Sequence, residues 1–226
     1  DGGLGRIIFN GTGAQNCDVA SSAARSCIIT VDKTAGGVTP AGGTTDFGMQ
    51  GFELFAGSFT APTGTMTIGG TFSSNTTLFT HTGGTFNHNN GEVEFDPYRS
   101  SCSTTTYSID VLTSTEFYDV ELNGSQSCGK DARFDTGTDS VNATNDLLQT
   151  DGYVNGNWEV KNDLYLAAGA DGGLGRIIFN GTGAQNYDVA SSAARSPIIT
   201  IDKTAGSVTP AGGTTDFGMQ GFELFA

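Results

Sequence analysis

Four cysteines and a scatter of aspartates are the residues of this sequence best equipped for chemistry, and their spacing narrows what that chemistry is. The cysteines stand at 17, 27, 102 and 128. Steps of 10, 75 and 26 match no zinc-binding pattern, and His81 and His88 lie far from any cysteine along the chain. Oxidative pairing fits better. Cys17 and Cys27 disappear together where the sequence repeats, giving way to Tyr187 and Pro197. Their joint loss reads as one disulfide and leaves Cys102 with Cys128 as a second. Each bridge would contribute roughly 3 kcal/mol by restricting the unfolded chain, and two of them imply an oxidising compartment.

The aspartates Asp131, Asp135, Asp139 and Asp146 share one irregular segment, and two chemistries suit them. Paired carboxylates can cleave glycosidic bonds, and hard cations such as calcium take several oxygen ligands. Against catalysis, Arg133 stands nearly alone and no basic cluster completes a polysaccharide-cleaving site. Against an ordered calcium loop, Asp135-Thr136-Gly137-Thr138-Asp139 lacks the ligand spacing of a helix-loop-helix cation site. Aspartate also forms turns well, which accounts for its collection in loops. The nucleophile pentapeptide Gly-x-Ser-x-Gly does not occur, and the glycines of Asp1 to Gly5 precede no Lys-Ser/Thr of a phosphate cradle. The expectation is a protein that is not an enzyme, needs no cofactor, and has those four aspartates as its only calcium candidates.

The elements that would position these residues announce themselves through repetition. Residues 1–56 return as 171–226 at an offset of 170, with four differences: Cys17 to Tyr187, Cys27 to Pro197, Val31 to Ile201 and Gly37 to Ser207. A fixed period is the signature of an array whose units bury their apolar faces against one another. The expected organisation is one full repeat over 1–170, itself a diverged pair of roughly 1–86 and 87–170, followed by the start of the next repeat over 171–226. The chain reads as a piece of a longer polymer. Phe9-Asn10, Phe95-Asp96 and Phe179-Asn180 mark the half-repeat, at steps of 86 and 84. Inside it, Phe59, Phe72 and Phe86 follow Gly-Ser or Gly-Thr pairs at steps of 13 and 14, which suggests two short strands in each step.

Alternation assigns the sides of those strands. Val93 and Phe95 point inward from Glu92-Val93-Glu94-Phe95-Asp96, and Trp158 and Val160 do so from Trp158-Glu159-Val160-Lys161. With 34 glycines and only 15% charged residues, the composition suits many short strands joined by tight turns. A net charge of −14 without a basic stripe argues against nucleic acid as a partner. No apolar run approaches the length of a membrane-spanning helix, so membrane insertion of this segment is not expected.

The runs Gly84-Thr-Phe-Asn-His-Asn-Asn-Gly-Glu-Val-Glu-Phe-Asp96 and Ile177-Ile-Phe-Asn-Gly-Thr-Gly-Ala-Gln185 resemble the strand-repeat segments of very large bacterial surface and adhesin-like proteins, as does Phe117-Tyr-Asp-Val-Glu-Leu-Asn123. The resemblance covers nearly the whole chain. It implies an all-β parallel β-helix, or solenoid, at the cell surface. A coil of three strands then takes about twenty residues. The competing architecture is a string of antiparallel β-sandwiches of about 85 residues each. The function expected is a rigid extracellular fibre or stalk. Its partners would be neighbouring repeats, other copies in a filament, or surface glycans and proteins. The alternatives are a glycan-binding adhesive module and a β-helical polysaccharide-degrading enzyme.

Overall fold

A computed structural model describes residues 5–18, 26–99, 102–126, 132–211 and 218–225. Among them there are 22 strands and no helix, and every pairing between strands is parallel. The chain winds as a β-solenoid of about nine turns. The sandwich string is thereby excluded, since it requires antiparallel hairpins.

Three ladders form the faces of the coil. On the first face, 6–9 pairs with 28–31, which pairs with 51–54; Phe52 then lies beside Phe79, Phe79 beside Ile109, Tyr107 beside Phe134, and Phe134 beside Val154. The second face runs from 15–17 through Val38, Phe59 and Phe86 to Phe117, Ala143, Val160, Phe179, Ile201 and Leu224. The third stacks Phe47, Met66, Val93, Val120, Leu147, Leu164, Tyr187 and Pro210. Long strands such as Leu147–Val160 turn corners and serve all three faces in succession.

Coil length varies. Ile7 pairs with Ile29, Ile29 with Phe52 and Phe52 with Phe79, so the second and third intervals are each longer than the one before. The longer coils contain a fourth short ladder formed by Thr71–Phe72, Tyr98–Arg99 and Ser125–Gln126. The even step through Phe59, Phe72 and Phe86 therefore has a different meaning from the one expected. Phe59 and Phe86 stack one coil apart on the second face, while Phe72 belongs to the added ladder.

Inward side chains fill the interior as the alternation demands. Val93, Phe95, Trp158 and Val160 are fully buried. Phe52, Phe59, Phe79, Phe86, Phe95 and Phe117 form a continuous aromatic cluster, with ring centroids 5.2 Å apart for both Phe52–Phe79 and Phe79–Phe117. At the corner between the first two faces Gly57 and Gly84 adopt φ of 85° and 87°, and a Cβ on Gly84 would lie 2.5 Å from the Gly57 carbonyl oxygen. Only glycine permits that conformation and that approach together.

Where the described chain ends, the coil is open. Phe222 and Leu224 are 56% and 69% exposed, whereas their counterparts in the first copy, Phe52 and Leu54, are 1% and 0% exposed beneath the coil that carries Phe79 and His81.

Candidate functional site: an acid-lined groove on the third face

Outward positions of the third face gather carboxylates, because the alternation that sends Val93 and Val120 inward sends their neighbours out. Strand Glu92–Phe95 lies against Asp119–Asn123 so that Glu92 sits beside Asp119 and Glu94 beside Glu121. Like charges directly opposed on adjacent strands repel. Partial burial, followed by the charges of Glu121, Glu94 and Asp119, holds the Glu92 carboxyl above its ordinary range, although a hydrogen bond from Thr65 acts the other way. Burial likewise raises Glu121, opposed by a bond from Thr150 and reinforced by Glu94 and Asp96.

Hydroxyl and amide donors offset the repulsion. Thr65 Oγ1 donates to Glu92 (3.1 Å), Thr67 Oγ1 to Glu94 (2.9 Å), Asn123 Nδ2 to Glu94 (3.1 Å) and Thr150 Oγ1 to Glu121 (2.6 Å). Beside these acids a second column climbs the corner that leads into the face. Asp119 Oδ1 accepts from Asn145 Nδ2 and the Asp146 amide. Asp146 Oδ1 accepts from Asn162 Nδ2 and the Asp163 amide, and Asp163 accepts twice from Asn186. Each coil thus hands an aspartate to the asparagine of the next. Between the columns lies a groove of about 290 Å³ lined by Glu92, Asp119, Asp146, Leu148, Asp163 and Tyr165.

Of the four calcium candidates, Asp146 belongs to this corner ladder, and Asp131 lies outside the described residues. Asp135 accepts the amide of Gly137 within its own turn, and Asp139 accepts the amide of Val111. Asp146 is thus bonded in a different network from Asp135 and Asp139. Among the described residues no group of three or more His, Cys, Asp or Glu side chains is arranged to hold a metal ion.

The reading of Cys17 and Cys27 as a disulfide is corrected: both are buried free thiols. Burial, with the nearby charges of Asp18 and Cys27, raises the Cys17 thiol above its ordinary pKa. Their joint replacement has a packing explanation, because Tyr187 and Pro197 are also buried and Tyr187 packs edge-on against Phe179 at 6.0 Å. Two small apolar sulfurs are exchanged for one ring and one proline. Cys102 is disulfide-bonded, and Cys128, its expected partner, lies outside the described residues.

Two polar devices escaped the sequence reading. Lys33, only 1% exposed, donates from Nζ to the Gly11 carbonyl oxygen (2.7 Å) and Gln15 Oε1 (2.5 Å), and Lys203 repeats the arrangement with Gly181 and Gln185. Glu53 accepts from Arg6 (2.7 Å) and Thr30 (2.7 Å), and Glu223 accepts from Arg176 (2.9 Å) and Thr200 (3.0 Å). Their retention in both copies was the available signal. For the corner ladder it was the recurring Asn-Asp pair at 145–146 and 162–163.

The chain matches no protein-family model, no curated protein and no solved structure.

Proposed function

We propose that this chain is a segment of an extracellular, cell-surface fibre, a tandem-repeat stalk that works by length and stiffness. The observation that carries this reading is the passage of the solenoid through the repeat boundary. Asp171 bridges to Arg195, the Val154 amide donates to the Gly172 carbonyl oxygen at 2.9 Å, and 157–160 pairs in register with 176–179. The ladders continue through the boundary, so copies added in tandem extend one rod instead of adding beads. Stiffness follows from hydrogen bonds that run along the axis in every face, and from an aromatic interior that bending would pull apart. The sequence resemblance to bacterial surface strand repeats supports placing the rod outside the cell, where its partners are further repeats or further copies.

The groove on the third face favours a second reading, in which the same rod also holds glycans, with the half-exposed Tyr165 as a stacking surface beside acids that accept from sugar hydroxyls. The test of the stalk reading is length. Proteins carrying two, three and four full copies, imaged by electron microscopy, should lengthen by about 35 Å per copy at about 4.8 Å per coil. Flexible strings of separate particles would sink it. Glycan binding abolished by Tyr165→Ala, in rods of unchanged length, would favour the adhesive reading.

A further inference from the structure

The two copies of the repeated sequence do not sit on the same face. Residues 6–9 belong to the first face, in the ladder that continues through 28–31 and 51–54. Their counterparts 176–179 belong to the second face, between 157–160 and 198–201. The rest of the copy follows. Gln15–Cys17 lies on the second face and Gln185–Val189 on the third, paired respectively with 38–40 and 208–210 in the same local register. Pairing within the copy is thus the same at 6–9 with 28–31, 15–17 with 38–40 and 28–31 with 51–54 as at their counterparts, while the unit turns by one face.

From Ile7, the chain returns to the first face at Ile29, Phe52, Phe79, Ile109, Phe134, Val154 and Gly172, which is seven coils, and Ile177 lies one face further on. The half-repeat behaves alike. Phe9 is on the first face, Phe95 on the third and Phe179 on the second, so each step spans eleven faces. Eleven and twenty-two are not multiples of three, and that alone produces the turn.

We infer that an array of this repeat presents each of its surface features on all three faces in rotation, one third of a turn per copy, returning to its starting azimuth after three copies. Seven and one third coils advance about 35 Å, so the full rotation takes 22 coils, or about 106 Å. A partner that recognises a copy-specific feature, such as the Arg6–Thr30–Glu53 cluster repeated as Arg176–Thr200–Glu223, meets it on every side of the rod. Binding sites are then distributed around the circumference instead of lining one edge. The inference rests on the fold, and holds wherever the rod stands.

The chain as it stands contains both copies and suffices for the test. Thr34 and Thr204 are equivalent and exposed. Thr34→Cys and Thr204→Cys in one chain, biotinylated and bound to streptavidin, place two markers that electron microscopy can resolve, the thiols of Cys17 and Cys27 being buried. Single-marker variants identify each position, and circular dichroism confirms that the fold is kept. The expected result is an axial separation of about 35 Å with the markers about 120° apart around the axis. Markers on the same side, or at any other angle, overturn the inference. A beaded particle would instead contradict the stalk reading, so the two failures are distinguishable.

Discussion

Glu92 shows how a single side chain reports the balance on the third face. Its folded pKa is raised by burial and by neighbouring acids, so the native state holds its proton more tightly than the unfolded state does. Stability from this group is present at low pH and is lost as pH rises through the range above its unfolded value, near 4.5. Glu92→Gln keeps Oε1 as the acceptor for Thr65 and removes the charge opposite Asp119. The variant should be more stable than the parent at pH 8 by roughly 0.2–1 kcal/mol, with the advantage vanishing by pH 4. Urea denaturation at the two pH values checks it, and an advantage independent of pH would contradict the charge argument. His81 works in the opposite sense. Burial lowers its pKa while Nδ1 lies 2.7 Å from Thr115 Oγ1, so its contribution is lost as pH falls below the unfolded value of 6.5.

At the scale of the strand, the aromatic cluster concentrates the packing. Phe79 contacts the rings of Phe52, Phe86, Phe95 and Phe117, joining coils on both sides of its own. Phe79→Ala should cost about 3–5 kcal/mol, measured as a lower midpoint in urea. Phe55→Ala, at a half-exposed outward position, should cost less than about 1 kcal/mol. Much of this level was legible in the sequence. The inward sets Val93 and Phe95, or Trp158 and Val160, follow from period-2 alternation, while strand spacing and the repeat favoured the parallel solenoid and left the sandwich string open. What was not legible is the number of strands in a coil. The step from Phe59 to Phe72 to Phe86 is nearly uniform along the chain, yet the middle ring sits on a ladder that exists only in the longer coils. Corner geometry decides that, and it is set by partners a whole coil away. Cys17 and Cys27 failed for a related reason, since a joint substitution reports proximity without saying whether the contact is a bond or packing.

For the molecule as a whole, repetition supplies an internal control. Residues 51–54 and 221–224 have the same sequence, Gly-Phe-Glu-Leu, but the first is covered by the coil carrying Phe79 and the second is open. In a solenoid, stability comes from nearest-neighbour coils, so the ends open first. In a protein of residues 1–226 alone, amide hydrogen exchange should be slow at 51–54 and at least about tenfold faster at 221–224, a difference of about 1.4 kcal/mol in opening free energy. Equal protection would mean that the terminal coil is held by something other than its neighbour. The acidic groove, the lysine clamps and the glycine corner all belong to a structure whose ladders run from one copy into the next.

The one-face offset between copies has a consequence for how such a protein changes over generations. Nearly identical stretches of coding sequence invite unequal recombination, which adds or deletes a whole copy. In a fold whose unit had to land on one particular face, each event would need a whole number of coils. Here the strand that receives a copy is matched to it by local register alone. Gaining or losing one copy therefore rotates everything downstream by a third of a turn and breaks no ladder. Copy number becomes a heritable dial for the length of the rod, adjustable in single steps without a single new contact having to evolve.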